Sequence, residues 1–222
     1  TFISYYSHGA AIALALDLTL RTRSGGKLSL DDYMRAMWRA HGAPSGAPGV
    51  VVRPYTLADA EARLAETSGD ASFARDFFAR FIEGRETADY VSLLARAGFV
   101  LRPRRPGRAW IGDLDLDERG SSPRLVAPPA IGSPAYRAGL DIDDELRAVD
   151  GQPVRSPVDV SNALARRVPG DRIVLAVVDR AGSSRSITVV AEDDPALELV
   201  MLERSGGTLT PEQRAFRSAW LN

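Results

Sequence analysis

The sequence contains no cysteine and only two histidines, His8 and His41, among its 222 residues. Without cysteine the chain forms no disulfide and no thiolate metal site, and its redox compartment is left open. Neither histidine has a second one at zinc-ligand spacing, so each is expected to be an ordinary polar residue, and a Ser-His-Asp triad has almost no support. Carboxylates cluster at residues 113–118 and 141–145. They lack the ligand order of a calcium loop, so solvated turns are expected.

Charge of one sign and long apolar runs are also missing. The net charge is −1, with arginines and carboxylates mixed along the chain, so no overall field favours nucleic acid or an anionic membrane. The nearest approach to a membrane span, residues 9–16, is far shorter than the roughly 20 residues required. Apolar residues make up 45% of the chain, which is enough for a globular core. No initiating methionine or signal-peptide pattern is present, and we expect the chain to be a fragment.

Residues 1–100 have the spacing and punctuation of helices. The segment 9–20 is apolar almost all round, which predicts a fully buried helix. Ser29 and Thr56 are each followed three residues later by aspartate, and these capping boxes predict two helix starts. Phenylalanines recur at helical spacing over residues 73–82, which is typical of a core-facing stripe. These patterns predict an all-helical segment.

The pattern changes at residues 101–108, where prolines and arginines predict a linker. Residues 109–192 contain short runs with strand alternation, separated by glycine and proline turns and interrupted by two helical stretches. The tail, residues 193–222, ends in a helix capped by Thr210, and we expect aromatic residues such as Trp220 to dock it. The predicted fold class is therefore α+β multidomain, with an all-α segment, a β-rich domain and a C-terminal helix.

Residues 132–154, GSPAYRAGLDIDDELRAVDGQPV, have a readable local structure. Ser133 and Pro134 predict the start of a short helix, and Asp150-Gly151 predicts a tight turn. Together with VPGDRIVLAVVDR at residues 168–180, this stretch resembles a PDZ domain of the bacterial type. The resemblance implies that residues 109–192 form a domain that binds an extended peptide as an added strand.

The PDZ resemblance also implies a loop that holds a peptide carboxylate, and this loop falls on WIGDL. Ile111 and Gly112 match its hydrophobic-glycine pattern, but Asp113 stands at the second apolar position. Leu114 replaces it only through a bulge or a one-residue shift. Leu164 matches the position on the second helix that walls the same pocket. Because the Asp113 carboxylate repels a peptide carboxylate, we expect weak binding of free C-termini and a mainly intramolecular role.

Residues 4–38, which begin SYYSHGAA, and residues 77–99 are similar to the end of the catalytic domain of glycyl aminopeptidase-type zinc metallopeptidases. These gluzincins carry a C-terminal PDZ domain. They also have a Tyr-x-Lys-Gly-like motif whose tyrosine hydroxyl stabilises the oxyanion of the tetrahedral intermediate. Tyr6-Ser7-His8-Gly9 falls on that motif with His8 in place of lysine, so the resemblance implies that Tyr6 is catalytic. Tyr5 is expected to pack or to position; the alternative is that both tyrosines fill a core.

The zinc motif of that family, His-Glu-x-x-His with a downstream glutamate, does not occur in this sequence. The resemblance therefore implies that zinc binds a longer parent protein, which cleaves peptides with a small N-terminal residue such as glycine, and that this chain alone is inactive. Implied partners are peptide substrates and the N-terminal part of the same polypeptide. The resemblance favours a periplasmic or secreted protein, with the cytoplasm still open. The alternative is a non-catalytic PDZ scaffold, and a His-Glu-x-x-His upstream would distinguish the two.

Overall fold

A computed structural model describes residues 5–42, 52–118 and 122–221 of the chain. The described residues divide into two compact units. Residues 103–198 form the β-rich unit, and the residues before and after that stretch form the helical unit. Within the described ranges, no helix is long and apolar enough to cross a membrane.

Both units are built from short elements. The helices in chain order are α1 (Tyr5–Ser24), α2 (Leu30–Met37), α3 (Leu57–Ser68), α4 (Ala71–Phe77), α5 (Tyr90–Ala95), α6 (Pro134–Arg137), α7 (Pro157–Leu164) and α8 (Pro211–Leu221). The strands are β1 (Phe99–Pro103), β2 (Ala109–Trp110), β3 (Leu116–Asp117), β4 (Arg124–Leu125), β5 (Glu145–Val149), β6 (Gln152–Pro153), β7 (Arg172–Val178), β8 (Ser184–Val190), β9 (Glu192–Asp193) and β10 (Leu197–Met201). Single π-helical turns follow α2 (Trp38–Gly42) and α4 (Phe78–Ile82), and a 3₁₀ turn (Leu202–Ser205) follows β10.

The helix starts predicted from the capping boxes are confirmed. α2 begins after Ser29, whose backbone N–H donates to the Asp32 carboxylate at 2.8 Å. α3 begins after Thr56, whose backbone N–H donates to the Asp59 carboxylate at 2.8 Å. Each box satisfies backbone donors that a helix N-terminus otherwise leaves unpaired, which is why these sequence signals locate the starts correctly.

α1 is buried over only part of its length, which corrects the expectation of a helix buried all round from residue 9 to residue 20. Its buried side chains lie in the second half: Ala15, Leu16, Leu18 and Leu20. Leu16 and Leu20 join the core of the helical unit, whereas residues 5–10 are exposed. None of the described elements buries residues 5–10, so the surface of α1 there stays exposed.

Arg217 fixes α8 to the helical unit. Its guanidinium donates to the carbonyls of Ala97 and Gly98, each at 2.6 Å, and pairs with the Glu203 carboxylate at 2.8 Å. The expected aromatic contact is also present, since Trp220 meets the ring of Phe99 edge to face with centroids 6.1 Å apart. The arginine therefore adds a donor to two carbonyls that follow the end of α5; the Gly98 carbonyl also accepts from the Leu202 N–H at 2.9 Å.

The β-rich unit is organised around an antiparallel sheet with the strand order β3-β4-β5-β7-β8, and β6 pairs with β5. The predicted tight turn between β5 and β6 is present, with positive φ at Asp150 (50°) and Gly151 (77°). Two boundaries differ from the sequence prediction. The expected linker 101–108 begins inside β1, because β1 pairs with β10, and the expected strand at 110–116 is divided into β2 and β3 by a loop.

The loop between β2 and β3 turns sharply at Gly112. There φ is 129°, and a Cβ atom would lie 3.0 Å from the Ser133 hydroxyl oxygen. Ser133 caps α6 by accepting from the Tyr136 N–H at 3.2 Å, and the Ile111 carbonyl accepts from the Ala135 N–H at 2.6 Å. The loop is thus held against the start of α6, and this close approach requires glycine.

Replacing Gly112 with alanine should lower the free energy of unfolding by about 2–4 kcal/mol, because backbone strain adds to the contact with Ser133. Gly107→Ala is the matched control. It also has positive φ (73°) but open space around the new methyl group, so we expect a loss of about 1 kcal/mol. Urea unfolding of the full chain, followed by circular dichroism, measures both. Equal losses would contradict the close packing against α6.

Candidate functional site

A groove of about 250 Å³ lies in the β-rich unit between α7 and the chain from Ala109 to Leu116. Its apolar lining includes side chains from both walls: Ile111, Leu114, Leu116, Val160 and Leu164. Ile111 is fully buried, and the other four are buried or half-buried against the core of the unit. The groove therefore has an apolar floor that could accept apolar side chains of an extended ligand.

α7, one wall of the groove, is positioned by its N-terminal cap. The Ser156 hydroxyl accepts from the Asp159 N–H at 3.2 Å. The Asp159 carboxylate accepts from the N–H groups of Arg155 (2.9 Å) and Ser156 (3.0 Å). These hydrogen bonds stabilise the charged carboxylate and hold the pKa of Asp159 below its usual range. The bond from the Arg155 N–H makes the largest contribution, and the bonds from Ser156 add to it. The capped helix presents Val160 and Leu164, one turn apart, to the groove.

The loop opposite α7 exposes a set of backbone donors. No described residue accepts a hydrogen bond from the N–H groups of Gly112, Asp113 or Leu114. Successive free amides at a loop with positive φ form a concave site that suits an anion. The WIGDL loop therefore has the donors that a peptide carboxylate needs.

β3 provides a free pairing edge next to this loop. Within the described sheet it pairs with β4 alone. The Asp115 carbonyl accepts from the Val126 N–H at 3.0 Å, so the Asp115 backbone faces β4. Neighbouring residues of a strand direct their backbone groups to opposite edges, so those of Leu116 face the groove. An extended peptide could add there as a further strand.

Asp113 does not occupy the second apolar position of the loop, which corrects the expectation drawn from its place in the sequence. Its side chain is exposed and accepts from the Trp110 indole N–H at 3.2 Å. Leu114 instead packs on the core together with Ile111, three residues earlier. The backbone turn at Gly112 produces this one-residue shift, which the sequence analysis left open. The Asp113 carboxylate therefore lies beside Trp110 at the end of the groove and not in its apolar pocket. The weak binding expected for free C-termini stays a prediction.

Charged side chains line one end of the groove: Arg105, Arg108, Asp113 and Asp194. Arg105 pairs with the buried Asp194 carboxylate, with 2.6 Å between Nε and Oδ2. Arg108 has no acidic partner among the described residues. The sequence analysis missed both arginines because it assigned them to a solvent-facing linker. It also missed Val160, which lies one helical turn before Leu164.

Tyr6, the predicted catalytic residue, lies in the first turn of α1. Its side chain is 72% exposed, and its ring lies 4.1 Å from the ring of Tyr5, centroid to centroid. The Tyr6 hydroxyl, as hydrogen-bond partner, raises the pKa of Tyr5. His8, two residues on, lines a small recess of about 100 Å³ with Ile12 and Tyr90. The tyrosines do not fill a core in this chain, and the Tyr6 hydroxyl belongs to an exposed surface.

The described residues do not form a zinc site. They contain no group of three or more histidine, aspartate or glutamate side chains that could hold a metal ion. His41 lies with Nδ1 3.1 Å from the Arg53 carbonyl and packs on the Tyr55 ring, which accounts for it structurally. Asp144, in the second carboxylate cluster, is buried and paired with Arg185 at 2.6 Å.

Comparison with known proteins identifies a domain that includes α7, one wall of the groove. Residues 125–179 match the family model of the PDZ domain. A probable periplasmic serine endoprotease DegP-like from Rhizobium meliloti (strain 1021) is 26% identical over 184 residues, which cover 78% of this chain and 34% of that protein. A protein of the same description from Chlamydia muridarum (strain MoPn / Nigg) is 37% identical over 92 residues, 40% of this chain and 18% of the relative.

The fold of the whole chain is similar to part of a solved structure. The aminopeptidase N family protein from Idiomarina loihiensis aligns with a TM-score of 0.69 and 22% identity, over 100% of this chain and 37% of that one. The chain thus spans about a third of the length of this neighbour and of the first curated relative. The chain is an α+β protein with a PDZ domain at residues 125–179, and the proteins it resembles are peptidases.

Proposed function

We propose that this chain is the C-terminal part of a zinc-dependent aminopeptidase that acts on peptides with a small N-terminal residue such as glycine. The observation that carries the proposal is the fold similarity to an aminopeptidase N family protein, which extends over both units. The zinc ligands and the glutamate that activates water would come from the N-terminal part of the same polypeptide. This chain would contribute Tyr6 and the PDZ domain.

Tyr6 would donate its hydroxyl hydrogen bond to the oxyanion that forms when water attacks the peptide carbonyl. An un-ionised phenol suits this role because it places one donor where negative charge develops. The exposure of the first turn of α1 supports the proposal, since a donor to an external substrate must be accessible. His8, where the family motif has lysine, lies next to the same surface.

The PDZ domain would bind an extended peptide segment in the groove between β3 and α7. The peptide would add to the free edge at Leu116, and its terminal carboxylate would accept from the free amides of Gly112 to Leu114. Arg108 precedes Gly112 by four residues, lines the same groove and would add a favourable charge. The DegP-like relatives are described as periplasmic, and we propose the same compartment for this protein.

Two alternative functions keep the PDZ groove as a peptide-binding site but assign a different activity to the rest of the protein. The DegP-like relatives favour a PDZ domain that belongs to a serine endoprotease. A non-catalytic scaffold that binds peptides through the PDZ domain is the other. The extent of the similarity favours the aminopeptidase, because the aminopeptidase N family protein aligns over 100% of the chain, whereas the two DegP-like relatives align over 78% and 40% of it. Metal content and inhibitor class of the intact polypeptide distinguish the three.

In the intact polypeptide that contains this chain, Tyr6→Phe should lower kcat on a glycyl anilide roughly 10²–10³-fold, the usual loss for one oxyanion donor, with little change in KM. Tyr5→Phe is the matched control, since Tyr5 is similarly exposed (68%), and we expect little change in kcat. Metal analysis should find one zinc per intact polypeptide and none on residues 1–222 alone. An unchanged kcat, or zinc-independent activity stopped by a serine-directed reagent, would contradict the proposal.

Binding of a peptide with an apolar last residue should weaken at least about tenfold when its C-terminal carboxylate is amidated, because charge-assisted hydrogen bonds to the loop amides are lost. Arg108→Gln should also weaken binding of the free acid. Arg104→Gln, in the same arginine-rich segment but outside the groove lining, is its control. Calorimetric titration of the full chain measures the dissociation constants. Equal affinity for acid and amide would show that the loop holds no carboxylate.

A further inference from the structure

β1 and β10 form a two-stranded antiparallel ribbon. The Leu202 N–H donates to the Gly98 carbonyl at 2.9 Å, and the Arg104 N–H donates to the Ala196 carbonyl at 2.8 Å. Residues joined in this way stand directly opposite each other in an antiparallel pair, and the two bonds are equally spaced on both strands. The register is therefore the same at both ends of the ribbon, and each residue of 99–101 stands opposite one of 199–201.

All six side chains in the middle of this ribbon are apolar, and none of them is buried. They form three cross-strand pairs: Phe99 with Met201, Val100 with Val200, and Leu101 with Leu199. Met201 is 41% exposed and Leu199 is 49% exposed, while the other four are half-buried. A continuous apolar run is typical of a strand that is covered on both faces. The ribbon therefore has the sequence of a buried sheet without the burial.

The start of α1, in the same unit, shows the same disagreement between sequence and burial. Residues 9–14 contain no polar side chain, and none of them is buried. A helix that is apolar all round is normally enclosed by protein. In β7 of the β-rich unit, by contrast, Ile173, Leu175 and Val177 are at most 1% exposed and alternate with outward-facing residues. The apolar surface without a cover therefore belongs to the helical unit.

The size of this surface favours a cover from the same polypeptide over a separate protein. Six partly exposed side chains present far less than the roughly 800 Å² that each partner buries in a stable interface between separate proteins. A covalently linked segment needs less area, because the linkage gives it an effective concentration of up to about millimolar. In the proposed enzyme the N-terminal part is linked to the helical unit through α1.

We propose that the N-terminal part of the same polypeptide packs on the ribbon and buries Leu101, Leu199 and Met201. This inference rests on the proposed function, in which further polypeptide precedes residue 1. The covering segment is apolar on the side that meets the ribbon, since a charged or polar side chain would lose water there without gaining a partner. The contact supplies the packing that a two-stranded ribbon needs, because such a ribbon is marginally stable by itself.

Cysteine labelling tests this cover, because residues 1–222 contain no cysteine of their own. Met201→Cys is prepared in the intact polypeptide and in residues 1–222, and its alkylation by iodoacetamide is followed by mass spectrometry of the peptide that contains it. We expect alkylation at least about 20-fold slower in the intact polypeptide, since an enclosed thiol reacts only when the contact opens. Val174→Cys in β7 is the matched control. Val174 is also 41% exposed, and its two rates should agree within about twofold.

A charged substitution gives a second, independent measurement. Leu199→Lys should lower the Tm of the intact polypeptide by at least about 5 °C, because the ammonium would be buried without a partner. In residues 1–222 the same side chain reaches water, so the Tm should change by less than about 2 °C. Val174→Lys is the control and should change the Tm of either protein by less than about 2 °C. Circular dichroism verifies that each variant folds.

The outcomes separate this inference from the proposed function. Equal alkylation of Met201→Cys in the two proteins would overturn the inference, and zinc content with aminopeptidase activity in the same preparation would leave the proposed function intact. Slow alkylation in an intact polypeptide without zinc or activity would support the inference and contradict the proposed function. Slow alkylation in residues 1–222 that becomes faster on dilution would show that a second copy covers the ribbon, and the inference would be wrong.

Discussion

The backbone conformation at Gly112 determines which side chains face the groove. With φ at 129° and the Ser133 side chain in contact distance, the chain loses the simple alternation of a strand at this residue. Ile111 and Leu114 therefore both reach the core, and Asp113 turns outward toward the Trp110 indole. The apolar floor and the free amides of the loop both depend on this one turn.

The groove combines three kinds of recognition in one place. Apolar side chains from α7 and the loop line the groove, the edge of β3 offers backbone pairing, and charged side chains of both signs lie at the loop end. Backbone pairing supplies affinity without regard to sequence, while pockets and charges supply the selection. A peptidase with such a domain could hold a substrate or a regulatory peptide apart from its catalytic centre.

Local signals in the sequence were sufficient for much of the fold. The capping residues Ser29 and Thr56 and the Asp150-Gly151 turn act through neighbouring atoms, and each appears where it was predicted. The burial of α1, the outward turn of Asp113 and the location of Arg108 beside the groove depend on contacts between distant segments. Periodicity contains no information about which neighbours are present, so these features could not be predicted from it.

Hydrogen–deuterium exchange of the full chain, with and without a saturating C-terminal peptide, tests the central claim that the edge of β3 and α7 form the binding site. The account predicts slower exchange at the amides of residues 112–117 and of α7, and unchanged exchange in the helices around Leu64. Added strand pairing protects backbone amides directly, so the β3 edge should change most. Protection confined to other segments of the chain, with residues 112–117 unaffected at saturation, would contradict it.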